Sequence, residues 1–557
     1  MRRVSVPLIF AIAFAVYIPA LYAGFVWDDV FQVQQNPWIK DPRLLGNAFA
    51  RDLAGFLPGY ETNYYRPLIH VFHASIFAVF GAEPWAFHLA SVLLHAGASV
   101  CLFLLLSRWT SSVIPPLLAS LLFAVHPIHT EPVIWVTGVI EVAYSLLVLV
   151  ALLAVTAQRH RWWLVIPPIF AMALLWKEPA IVLFPIVVVL LGIRGDFKNH
   201  RRASMALVIA MSAVVLGYFA LRINALGGVT AQSQNTIRLG VIDWATTSVA
   251  LVGEYARYLV LPLKLSAIHD YPIVNTPLDF RFVCGALTVS AVCVAAWRAR
   301  RTPELFLGIM LVALPLLPAL YIPALKDSLI AERYLYLPSA GAAILLAYCL
   351  RRWPQPLATF AGRAIVAVVL LSAVAGTLAR GGTWRSDLSL WTDALEKAPQ
   401  SAVAHEYAGA ALVIAQRYAE AVPILTRALE LNPKRVDART NLSIALASTG
   451  RTEDAIVQAE IAIRQRPLQV EAYTALGWAL AEQGRFSEAV TAYEKALQLA
   501  PSSASVHNLA GIAYAQLGRL DVAVFHFEAA VRLEPANGDY ARNLQLLHRL
   551  DPSLGGH

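Results

Sequence analysis

Apolar stretches close to the ~20 residues a helix needs to cross a bilayer recur from Val6 to Leu378 and then stop. So long a series leaves no soluble fold open to the first two thirds of the chain, because no water-soluble core absorbs that many uninterrupted apolar runs. Composition agrees: of 557 residues, 58% are hydrophobic and 14% charged, where an ordinary globular domain is about 25% charged. The charge is also divided along the chain. From Ser401 onward 14 Lys and Arg stand against 16 Asp and Glu, so the overall +8 becomes +10 before that point and −2 after it. The positive excess belongs to membrane loops, and no nucleic-acid surface is expected.

Basic clusters punctuate the apolar runs: "MRR" at the start, Arg108, "QRHRWW" at 158–163, "RGDFKNHRR" at 194–202, "WRARR" at 297–301 and "LRRW" at 350–353. Short loops rich in Lys and Arg stay in the cytoplasm. Threading spans between them gives about eleven, near 6–23, 86–107, 113–126, 138–156, 162–175, 178–193, 204–222, 281–297, 304–322, 335–350 and 356–378. The stretch 66–81, with His70 and His73, and the stretch 244–262, with Glu254 and Arg257, read as helices on the outer surface. The expectation is an all-α, multi-spanning membrane bundle over residues 1–380, with a cytoplasmic N-terminus and the tail outside. The basic start and apolar run of residues 1–24 also fit a signal peptide; the length of the run and the spans after it favour an uncleaved first helix. Cys101, Cys284, Cys293 and Cys349 lie in apolar segments without CxxC spacing, so neither a disulfide framework nor a zinc site is expected.

The tail has its own period. Prolines fall at 399, 433, 467, 501 and 535, a spacing of 34, which is that of tetratricopeptide repeats. Ala421, Ala455, Ala489 and Ala523 keep the register, as do Ala428, Ala462, Ala496 and Ala530. Gly409, Gly477 and Gly511 let paired helices approach closely, with Ser443 replacing glycine in the second repeat. Residues 384–399 match the second helix of a preceding half-repeat. Residues 384–550 are thus expected to form a tetratricopeptide α-solenoid of a half-repeat plus four repeats, whose concave face holds a peptide or protein partner.

Polar residues in the membrane part gather at helix ends that this topology turns outward. They are Asp28 and Asp29 in "GFVWDDVFQVQQNP" (24–37), Arg66 in "NYYRPLIH", and His126, His129 and Glu131 in "HPIHTEP". Glu141 follows, then Lys177 and Glu178 in "WKEP", and Glu332, Arg333, Tyr334 and Tyr336 in "AERYLYLPSAG". Inner loops are almost purely basic, whereas these ends mix acid, base, His and aromatics, as an outward-facing site would. Each group has a plainer reading. Asp28 and Asp29 fit a solvated helix end or an N-cap. His126 and His129, three apart, fit a metal pair, yet the intervening Pro127 and the lack of a third ligand favour structural hydrogen bonds, and no metal is expected. Glu178 fits a simple ion pair with a nearby base. Arg333 between tyrosines suits a phosphate head group.

Taken in order, "WDD" after the first span, "YYRPL", "HPIHTEPV", "KEPA", "ERYLYLP" and a C-terminal repeat array resemble the transmembrane and tetratricopeptide repeat-containing O-mannosyltransferases and their bacterial relatives. These are glycosyltransferases of the GT-C class, and the resemblance covers essentially the whole chain. It implies a lipid-phosphate-linked sugar donor, chemistry on the outer face of a bacterial inner membrane, and a carboxylate in the first outer loop as base, here Asp28 or Asp29. It further implies that Arg333, with Lys177 and Arg66, stabilises the leaving phosphate. His126, His129 and Glu131 would line the sugar or acceptor pocket, and Glu178 would orient a partner. Glu332 and Tyr336 are placed in the same substrate site. Partners would be a polyprenyl-phosphate-linked sugar, membrane lipids, and a protein or peptide acceptor on the repeats; no cofactor is called for. The same machinery acting on a surface glycan or lipid is an alternative, as is a membrane-anchored repeat scaffold without catalysis.

Overall fold

The structure, a computed structural model, describes residues 2–57, 62–157, 160–228, 239–322, 328–535 and 537–550. Among these every regular element is a helix, and the chain divides into two compact units, Met1–Leu390 and Trp391–His557. Of the basic cluster at 158–163, residues 158 and 159 lie outside the described residues.

In the first unit, seven described helices are long and apolar enough to cross a membrane: Val4–Tyr22, Pro84–Leu106, Arg201–Leu226, Phe280–Ala299, Pro303–Leu320, Glu332–Arg352 and Phe360–Thr383. An eighth results if Ile114–Ala124 and Pro127–Ile134, bent by 46°, are one broken span. This corrects the expected eleven. The stretches at 138–156, 162–175 and 178–193 form the shorter helices Val139–Val155, Trp163–Trp176 and Glu178–Ile193. Prolines set two of the breaks. His126 is extended (φ −72°, ψ 129°) because the residue before a proline avoids the helical region. Lys177, also extended (φ −161°, ψ 137°), separates two helices as the N-cap of the second, whose first turn holds Pro179. The helices Pro67–Phe80 and Val241–Val260, left out of the span count on sequence grounds, are not among the seven.

Pro84–Leu106 lies at the centre, packed by Arg2–Val16, Ile114–Ala124 and Val139–Val155. Of its apolar stretch 56% is buried, against 6% for Phe280–Ala299 and 11% for Phe360–Thr383. Those outer helices leave side chains such as Leu287, Phe360 and Leu371 uncovered. Apolar faces of that extent belong against lipid, and the unit is an integral membrane bundle.

The second unit is a tetratricopeptide array running, among the described residues, from Ala402–Ile414 to Gly538–Leu550. The eight register alanines are fully buried. A Cβ on Gly409, Gly477 or Gly511 would come within 2.4 Å of Leu425, 2.5 Å of Tyr493 or 2.8 Å of Phe527, so the large residue sixteen positions on demands glycine. The second repeat solves the same contact otherwise. Its register position holds Ala459, buried and small, which leaves room for Ser443, whose hydroxyl donates to the Ala455 carbonyl at 2.8 Å. Turns between paired helices take the left-handed conformation at Gly450, Gly484 and Gly518 (φ 81°, 79° and 73°), and Gln416 takes it (φ 58°) in the first repeat.

Candidate active site

The loop after the first span separates its two acids. Asp29 is fully buried, and its carboxylate accepts from the Thr137 amide and hydroxyl (both 2.8 Å), the Val26 amide (3.2 Å) and the Val136 amide (3.4 Å). Burial pushes its carboxyl up to about 7, against the downward pull of the Thr137 and Val26 donors. Asp28, one residue earlier, stays half-exposed. Trp27 causes the divergence: its φ of +57° is rare for a bulky side chain and turns the chain between Val26 and Asp28. The Trp27 amide donates to Asp387 Oδ1 at 2.8 Å, and its ring stacks on Trp135 with centroids 4.9 Å apart.

From that indole pair an ionic cluster extends inward. The Arg333 guanidinium lies 5.3 Å from the Trp135 ring and 5.8 Å from that of Trp27. It pairs with Glu131, whose other oxygen accepts the Arg333 amide at 3.1 Å. Tyr334 follows, its ring 5.2 Å from Arg333 and 4.9 Å from the Lys177 ammonium. Lys177 is buried and paired with buried Glu141. Glu178 takes two guanidinium groups, Arg66 at 3.0 Å and Arg222 at 3.1 Å; Arg222 also donates to the Asn63 carbonyl, and Arg66 lies over Tyr64. Through Glu141, Lys177, Arg333 and Arg66 these pairs interact electrostatically as one group. Of the residues singled out by sequence, Arg66, Glu131, Lys177, Glu178 and Arg333 therefore come together, with Asp28 next to Trp27 at the rim.

Glu332 borders these ion pairs, acting electrostatically on Glu131 as Arg380 does, whereas the expected histidines and Tyr336 sit apart from them. Glu332 is buried against Arg380 (3.1 Å) and His269 (3.1 Å). Tyr336 donates to or accepts from His95 Nδ1 at 2.7 Å, while His129 bonds Ser339 Oγ at 2.8 Å. His126 Nδ1 accepts from the Ile128 amide, capping the short turn after Pro127. His129, Tyr336, His95 and Phe123 pack ring to ring in the core. Among the described residues, no three His, Cys, Asp or Glu are grouped to hold a metal ion.

Trp27, Trp135 and Arg222 join the cluster without having been singled out, and Glu141 and Tyr334, marked among the polar helix ends, join it as well. For Arg222 a signal exists: like Arg333, it is an arginine at a span end that the topology expected from sequence turns outward, where the inside-positive rule does not ask for one. Trp135 offers no such signal, because its role comes from contacts with Trp27 and Arg333 that are remote in sequence.

The chain is similar to known proteins in each of its two units. Residues 66–219 match the family described as dolichyl-phosphate-mannose-protein mannosyltransferase, a range that contains Arg66, Glu131, Lys177 and Glu178 but neither Asp28 nor Arg333. Residues 412–478, 477–518 and 504–537 match tetratricopeptide repeat families. The chain resembles Protein O-mannosyl-transferase F38B6.6 of Caenorhabditis elegans, 26% identical over 71% of this chain and 58% of the relative. Protein O-mannosyl-transferase TMTC3 of Mus musculus is 26% identical over 75% and 50%. Protein O-mannosyl-transferase TMTC4 of Homo sapiens is 26% identical over 71% and 62%. The alignments thus span about half to three fifths of these relatives' length.

Proposed function

We propose that this chain is a membrane glycosyltransferase of the GT-C type that moves a sugar, mannose in the first instance, from a polyprenyl-phosphate carrier to a protein hydroxyl outside the cytoplasm. The observation that carries the reading is the charge balance of the cluster. Among the described residues, four cations, Arg66, Lys177, Arg222 and Arg333, face three carboxylates, Glu131, Glu141 and Glu178, inside the cluster, an excess that suits a phosphodiester there while the Asp28 carboxylate stays at the edge. Guanidinium groups suit phosphate oxygens because their paired N–H donors match that geometry. Tryptophan and tyrosine faces beside them suit the apolar face of a sugar.

In this reading Asp28, half-exposed at the rim, is the base and Asp29 the anchor that fixes its loop. The acceptor oxygen attacks the anomeric carbon while its proton passes to Asp28. The bond from that carbon to the phosphate oxygen breaks with its electron pair, and Arg333, Lys177 and Arg66 take up the growing charge on the polyprenyl phosphate. A single displacement inverts the anomeric centre, and phosphate needs no protonating acid to leave. Residues 1–380 would form the transferase domain and residues 384–550 the acceptor- or partner-binding array. Glu332, with His126, His129 and Tyr336, would support the walls of the site. Taken with seven described spans, an odd number like the eleven expected from sequence, the basic loops put the N-terminus in the cytoplasm of a bacterial inner membrane and the active site and repeats in the periplasm.

Transfer of radiolabelled mannose from polyprenyl-phosphate-mannose by the purified chain in lipid tests this. Asp28→Asn should lower kcat by about 10²–10⁴-fold, the usual contribution of general acid–base catalysis, with the fold retained. Absence of transfer from every polyprenyl-phosphate sugar would leave the scaffold alternative standing.

A further inference from the structure

We propose that Asp387 is a positioning residue for the transfer: by holding Trp27 in its left-handed conformation it sets the direction of Asp28. The inference rests on the reading of Asp28 as base. Bulky residues persist at positive φ only where their surroundings over-determine them, and Trp27, at +57°, is held from two sides. On one side, the segment that follows the last span takes hold of the loop backbone. The Trp27 amide donates to Asp387 Oδ1 at 2.8 Å, and the Gly24 amide donates to the Arg385 carbonyl at 3.1 Å. Trp384, fully buried, stacks behind Trp135 at 6.4 Å, extending the pile that begins with Trp27. On the other side Asp29 is pinned by Val136 and Thr137. Asp28 lies between these two grips and carries the consequence of both.

Sequence had placed residues 384–399 in a half-repeat, a role in which Asp387 would be a solvated first-turn acid. The contact made here is different. An acceptor at this point, 360 positions from Trp27, ties the backbone of the left-handed turn to the segment that follows the last span. Removing the acceptor releases the turn, and misplacing a reacting group by about 1 Å costs roughly 10²-fold in rate.

The test compares Asp387→Ala, which deletes the acceptor, with Asp387→Asn, which keeps an oxygen at Oδ1. In the full chain in lipid, Asp387→Ala should lower kcat by roughly 10²-fold with the donor KM unchanged, and should raise deuterium uptake over residues 24–34. Asp387→Asn should restore both. Unchanged uptake and kcat in Asp387→Ala, or equal damage from both variants, would overturn the proposal. If Asp387→Ala does not fold, Asp387→Asn decides: wild-type protection over 24–34 supports the role and lost protection overturns it. Failure of the parent reading looks different, because an active Asp28→Asn or an inactive wild type would leave the exchange arm intact to decide whether Asp387 holds the loop.

Discussion

Asp29 offers the most direct physical test of the loop, since its carboxyl is buried with four donors around it. Burial raises it to about 7, whereas in an opened loop an aspartate titrates near ~3.9. The closed loop therefore holds the proton more tightly than the open one. Its stability is full below about pH 4 and falls as pH rises through about 7; a shift of about three pKa units is worth on the order of 4 kcal/mol. Asp29→Asn removes the titration. It also turns an NH₂ toward donors, leaving one or two of them unmatched at about 1–3 kcal/mol each. Hydrogen exchange over residues 24–34 in lipid, expressed as protection factors to remove the chemical pH dependence, measures both effects. Wild-type protection should fall from pH 4 to pH 8, and the Asn variant should be less protected at low pH and flat across the range. A wild-type profile that is flat or rises with pH would refute the reasoning, because it would mean the closed loop does not raise the carboxyl.

The repeat unit supplies the remaining predictions. Gln416→Gly should stabilise the first repeat by about 0.5–1 kcal/mol, because relief of left-handed strain outweighs the added freedom of glycine in the open chain; protection over 402–431 that is unchanged or lower would contradict it. Gly409→Ala should cost about 1–3 kcal/mol through overpacking against Leu425, and Gly409→Ala with Leu425→Ala should recover part of that, as Ser443 with Ala459 already does; additive losses would count against the pairing. Burial, with His507 at 3.0 Å, pulls the His526 imidazole down to about 4, below its ordinary value near ~6.5. The helix Leu520–Leu533 should accordingly lose stability as pH falls from about 6.5 to 4, the reverse of the Asp29 loop, and His526→Phe should abolish that loss; a helix indifferent to pH would refute it.

How far the fold is legible in the sequence depends on whether its determinant is periodic. The 34-residue register is local repetition, so even the exchange at Ser443 shows in the chain; its reason, the small Ala459 sixteen residues on, shows as well. Spans are less legible. Apolar runs at 138–156, 162–175 and 178–193 carry enough hydrophobicity to cross, and the break at Lys177 bounds the last two of them. The site is legible only as a set of residue types. Arg66, Glu131, Lys177, Glu178 and Arg333 stand out because ionisable groups at span ends need a reason, yet nothing in the sequence pairs Glu178 with Arg222 or Lys177 with Glu141. "WDD" shows the limit most clearly. Asp28 and Asp29 are the same residue type, one position apart, and a helix would merely point them about 100° from each other. What separates a half-exposed acid from a saturated one is Thr137, 108 positions away, and the backbone of Trp27, held by Asp387. Two distant contacts thus divide one dipeptide into a half-exposed acid and a buried, saturated one, and on the proposed reading variants at Asp28 should act on the chemical step while those at Asp29 and Asp387 act on the loop that holds it.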